Sequence, residues 1–200
     1  VSSLLLPASR VPRWVENFTL RHGSVTLEVS QGELAGVGAD GSTFRARLPW
    51  SREYAAGPDV AEFVAALAPP QDWGVLLVRK GGFAVARCSG ADLVEHKIGQ
   101  RHVQGRTKAG GQSQQRFARR RDNQARQAYE AATEHAVRIL RPGLLVTGGD
   151  RTAIAEVLAD PRLRGMRVVE EWLPVPDPRR SVLDKAIADA QAARVEVNNA

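Results

Sequence analysis

The strongest constraint on this chain lies between Ser113 and Leu140. Phe117, Ala125, Ala128, Ala132, Ala136 and Leu140 recur at three-to-four spacing. That is one apolar stripe of a long helix, with Ser113 as its expected N-cap. Pro142-Gly143 breaks the pattern. Directly before the helix stand Gly110, Gly111 and Gln112. Two glycines in a row free the backbone to take positive φ and to approach a ligand closely. A Gly-rich loop therefore runs into a helix, and Arg116, Arg119, Arg120 and Arg126 fall largely off its apolar stripe.

The charge is concentrated there. From Lys97 to Arg126 the chain holds nine cations, Lys97, Arg101, Arg106, Lys108, Arg116, Arg119, Arg120, Arg121 and Arg126, against one acid, Asp122. The net charge of the whole chain is +6, so the remainder is slightly acidic. A patch this localised is the footprint of a polyanion site, and the Ala-rich stripe beside it suits a protein core better than a lipid face. On residue types alone, a solvated loop followed by a solvated basic helix accounts for the same pattern.

The motif is longer than its triplet. Gly110-Gly111-Gln112-Ser113, then Arg116-Phe117-Ala118-Arg119 and a basic helix, resembles the catalytic loop and helix of eukaryotic and archaeal class-1 peptide-chain release factors. The resemblance covers about Trp73 to Val197. A free-standing domain of this kind is similar to the Vms-like release factors and, within them, to an actinobacterial peptidyl-tRNA hydrolase family. The resemblance implies a loop that enters the peptidyl-transferase centre of the large ribosomal subunit and hydrolyses the ester between nascent peptide and tRNA. Gly110, Gly111 and Gln112 would form the catalytic tip. Arg106, Lys108, Arg116, Arg119, Arg120, Arg121 and Arg126 would meet RNA phosphates. Two alternatives stay open: cleavage of the tRNA 3′ end on the same complexes, and a non-catalytic ribosome- or RNA-binding module. The resemblance also implies rescue of stalled ribosomal complexes, since Val1 to Ala68 is too short for a stop-codon-reading domain and a GTPase-binding domain.

The rest of the chain frames this segment. Trp14, Val15, Phe18 and Leu20 suggest a short amphipathic helix ending near His22-Gly23. Val25, Leu27 and Val29 alternate with polar residues, and Gln31-Gly32 and Asp40-Gly41 bracket two further short strands, Glu33 to Val37 and Thr43 to Leu48. Asp59 with Glu62 resembles a capping box that opens a helix through Leu67. Pro69-Pro70 marks a boundary, so residues 1–70 are expected as a small α+β segment, a β-meander plus helices, and 71–200 as the release-factor-like catalytic domain. Beyond Pro70, strands Trp73 to Val78, Phe83 to Arg87 and Asp92 to Ile98 precede the loop and long helix. A strand ends at Gly148-Gly149, Asp150 caps a helix through Leu158, Met166 to Trp172 is a strand, and Ser181 opens a helix to about Val195. The expected class is α+β, a mixed sheet flanked by helices.

Other chemistries fare worse. Gly148-Gly149 lacks a fuller phosphate-binding fingerprint. His22, His96, His102 and His135 have no metal-ligand spacing, so neither a metal nor a cofactor is expected. The single cysteine, Cys88, reads as a core residue and fits a reducing cytoplasm. Val1 to Leu6 lacks the basic and apolar regions of a signal peptide, and no apolar run reaches membrane-spanning length.

Overall fold

The computed structural model describes residues 2–100 and 112–200, with side chains from Arg126 onward in the second stretch. The contacts divide the chain into two compact units. One comprises the residues up to Pro69 with Ile187–Ala200, and the other is Pro70–Ala186.

The first unit is an antiparallel five-stranded sheet in the order β1-β10-β4-β3-β2. Strands β2 (Val25–Ser30), β3 (Glu33–Gly38) and β4 (Thr43–Arg47) form the expected meander. Gln31 and Gly32 both take positive φ, as a two-residue hairpin turn requires. Helix α1 (Val11–His22) ends at Gly23, whose φ of 79° reverses the chain. Its Trp14 and Phe18 meet Phe44 edge-on at 5.2 and 5.1 Å. Helix α2 (Val60–Ala66) is capped by Asp59, which accepts from the Glu62 N–H at 2.9 Å. Glu62 accepts from the Gly57 N–H instead of reaching back to Asp59, so the reciprocal box is half made. Phe63, Leu34 and Tyr54 fill the core.

Two strands of this sheet depart from expectation. The lead segment, to which the sequence assigns no element, is β1 (Ser2–Leu6). The last helix does not reach Val195: α5 (Arg180–Ala190) stops, and β10 (Ala193–Asn198) follows between β1 and β4. The Ala-rich run before β10 carries the helical pattern past its end, whereas Val195 and Val197 alternate with Arg194 and Glu196 in strand fashion. The units divide between Pro69 and Pro70, and Ile187–Ala200 packs with the first unit.

The second unit is a mixed sheet in the order β7-β6-β5-β8-β9. Strands β5 (Trp73–Arg79), β6 (Gly82–Ser89) and β7 (Asp92–Gln100) form an antiparallel meander. Strands β8 (Gly143–Gly149) and β9 (Met166–Leu173) extend it in parallel from β5. Helix α3 (Gln112–Ile139) and helix α4 (Arg151–Leu158) pack on one face, over Leu76, Val78, Phe83, Val85 and Leu145. Asp150 caps α4 by accepting from the Thr152 and Ala153 N–H groups. With two sheets and five α-helices among the described residues, the class is α+β as expected. None of these helices is long and apolar enough to cross a membrane.

Candidate functional site

Strand β7 ends at Gln100 and α3 begins at Gln112, so the Gly-rich basic segment between them is approached from its two described roots. The incoming root is held by close packing. Gly99 pairs with Phe83 across the β6–β7 ladder, and the Phe83 ring occupies the space a Cβ at Gly99 would need. The same ring stacks on His135 of α3 at 5.6 Å.

The outgoing root is held by the apolar stripe. Ala128, Ala132, Ala136, Ile139 and Leu140 are buried, and the small alanines let the helix lie close to the sheet. Polar clips add direction to this packing. The Arg138 guanidinium donates to Glu95 of β7 at 2.6 Å. Arg162, in the middle of a 3-10 turn at Pro161–Leu163, donates to Glu134 of α3 at 2.6 Å and to Asp160 at 2.8 Å. These bonds from Arg162, with its backbone N–H, pull the Asp160 carboxyl down to about 2. Burial, then the charges of Lys97 and Arg138, hold the His135 imidazole below its ordinary value, which favours the neutral ring.

The proposed site residues fall as follows. Arg106, Lys108, Gly110 and Gly111 lie outside the described residues, as does His102. Gln112 is the first residue of α3. Ser113, expected as the N-cap, therefore stands inside the first helical turn. Arg116, Arg119, Arg120 and Arg121 continue the helical backbone, and their side chains, with those of Phe117, Asp122 and Ala125, lie outside the description. Arg126 is exposed on α3, and Lys97 is exposed on β7. Sequence reasoning missed Glu95, Phe83, Gly99 and His135 as supports of the loop, because their partners lie on other elements and leave no local signal.

The rival sites resolve into packing. A Cβ at Gly148 would strike the Leu173 carbonyl, and Gly149, at φ 102°, leaves no room beside the Val78 carbonyl. These glycines let neighbouring strands close up. Cys88 is fully buried, and burial pushes its thiol up to about 11, so it is not a thiolate nucleophile. His22 bonds Asp40 and His96 bonds Arg180. No group of three or more His, Cys, Asp or Glu gathers as a metal site among the described residues. Trp50 is buried despite its place at a turn.

A mixed sheet whose antiparallel end runs through a Gly-rich basic segment into a long helix is a release-factor-like α+β domain. The family model described as Actinobacteria/chloroflexi VLRF1 release factor matches residues 71–196, and the chain belongs to that family. A search of curated proteins finds no match.

Proposed function

We propose that the protein is a peptidyl-tRNA hydrolase that acts on stalled ribosomal complexes through Gly110, Gly111 and Gln112. The observation that carries this reading is the position of Gln112. It opens a helix whose far half is anchored in the core, in a chain that belongs to a release-factor family. A glutamine amide does not titrate near neutral pH, so Gln112 is no ordinary general base. Its role is to orient a water and present hydrogen-bond donors. A backbone N–H at the glycine turn stabilises charge developing on the carbonyl oxygen or on the leaving 3′-oxygen. Water adds to the ester carbonyl, and the peptide carboxylate and the tRNA 3′-hydroxyl leave. The substrate ester is already activated, and ribosomal RNA of the large subunit completes the site.

Arg106, Lys108, Arg116, Arg119, Arg120, Arg121 and Arg126 neutralise RNA phosphates along the route. A ribosomal substrate places the reaction in the cytoplasm, and the chemistry needs no cofactor. The test uses a purified ribosome–peptidyl-tRNA complex with the tRNA 3′ end resolved. Intact tRNA supports ester hydrolysis, shortened tRNA indicates a 3′-end endonuclease, and binding without turnover indicates a non-catalytic module. Gln112→Ala should lower peptide release about 10²-fold, as loss of one positioned donor does. Gly111→Ala should also impair release. Wild-type release by Gln112→Ala would remove the proposed tip.

A further inference from the structure

The first unit holds a polar cavity of about 300 Å³ that the loop chemistry does not use. Trp14, Asn17, Phe18, Arg21 and His22 of α1 line it, with Asn199 after the end of β10. We propose that this cavity binds a phosphorylated nucleoside, either free or as one unit of an RNA strand.

The sign of the cavity is the first argument. No carboxylate lines it, while Arg21 and His22 do. Arg21 is exposed and has no acidic partner among the described residues. His22 is already oriented: its Nδ1 lies 2.8 Å from Asp40 Oδ2, and Asp40 Oδ1 accepts from the Ser42 N–H at 2.9 Å. Those two bonds hold the Asp40 carboxyl below its ordinary range, so it stays ionised as the partner of the ring. With Nδ1 committed to Asp40, Nε2 remains as the second polar atom of the imidazole. The Arg21 guanidinium supplies the donors for a phosphate, while Nε2, the accepting nitrogen when Nδ1–H donates to Asp40, suits a ribose hydroxyl.

The second argument is shape and neutral chemistry. Trp14 and Phe18, stacked on each other at 5.6 Å, line the cavity; Phe18 is buried, so the half-buried Trp14 is the ring that offers aromatic surface there. Asn17 and Asn199 offer amide donors and acceptors, the groups that read a base edge. Aromatic surface beside cations is the arrangement that holds single nucleotides of unpaired strands. The volume is at the lower end of small-ligand sites, which suits one nucleotide and excludes a folded partner. A packing defect would be lined by apolar atoms instead.

The test reads the site itself, so RNA bound elsewhere on the protein does not confuse it. The indole N–H of Trp14, assigned with Trp14→Phe, is followed by NMR while adenosine 5′-monophosphate, adenosine, inorganic phosphate or a five-nucleotide single-stranded RNA is added. Saturable shifts with the monophosphate, about tenfold weaker in Arg21→Ala and weaker again with adenosine, support the proposal. Tighter binding of the RNA than of the monophosphate assigns the strand as the source, and the reverse order assigns the free nucleotide. Asn17→Ala, an exposed change, should also weaken the monophosphate. No saturable shift with any phosphorylated nucleoside, or shifts unaltered by both Arg21→Ala and His22→Gln, would overturn it. Inorganic phosphate binding as tightly as the monophosphate would overturn the nucleoside assignment.

Discussion

Glu95 and Arg138 meet at 2.6 Å, one on the strand before the Gly-rich basic segment and the other on the helix after it. The pair is partly exposed, so its contribution to stability is small. Its geometry still fixes how α3 lies along β7. A double-mutant cycle of Glu95→Gln and Arg138→Ala, read by urea unfolding, should give a coupling energy of about 0.2–1 kcal/mol. A coupling of zero would mean that apolar packing alone sets the helix.

Gly99 offers a sharper probe of the same junction. A Cβ there lands on Cε1 and Cζ of Phe83, a ring that also stacks on His135. Gly99→Ala should therefore destabilise the domain by about 1–3 kcal/mol, the usual cost of overpacking. Phe83→Leu in the same background should restore part of the loss. Equal stability of Gly99→Ala and the parent would show that the ring has space to yield.

His135 should make the domain acid-sensitive. Its folded pKa is lowered by burial and by Lys97 and Arg138, while the unfolded ring titrates near 6.5. As pH falls below that value the unfolded state binds the proton first, so stability drops until the folded ring protonates as well. His135→Phe keeps an aromatic ring against Phe83 and removes the titration. Urea melts between about pH 7 and 5 should then show a flatter profile for the variant. Parallel profiles would take His135 out of the acid response.

Arg119 and Arg120 test the basic patch without touching the tip. Double replacement by alanine should weaken binding to ribosomes or tRNA and flatten its salt dependence. Each lost phosphate contact lowers the log–log slope by about 0.7–0.9. An unchanged slope across a salt series would leave the two arginines outside the RNA interface.

The local patterns of the chain carry much of this protein. Ala128, Ala132 and Ala136 mark the buried face of α3 because helical period places them on one side, and all three are buried. Asp59 and Asp150 announce their helices because an N-cap is made within three residues. Gln31-Gly32 turns the meander because Gly32 takes positive φ without steric cost, and the tight turn holds Gln31 in the left-handed region beside it. Gly110, Gly111 and the cations around them stand out in the sequence because their spacing is local, and Arg106 to Gly111 lie outside the described residues.

Tertiary structure decided what depends on distant partners. Strand β1 gains its backbone hydrogen bonds from β10 at the other end of the chain, and β10 lies between β1 and β4. No nearby residue announces either pairing, so an Ala-rich helical pattern hides β10. The contact of Glu95 with Arg138, the contacts of the Phe83 ring with Gly99 and His135, and the cavity shared by α1 and Asn199 arise likewise. Each needs side chains from separate elements to meet, and that meeting is set by how sheets and helices stack, not by the order of residues along any one of them.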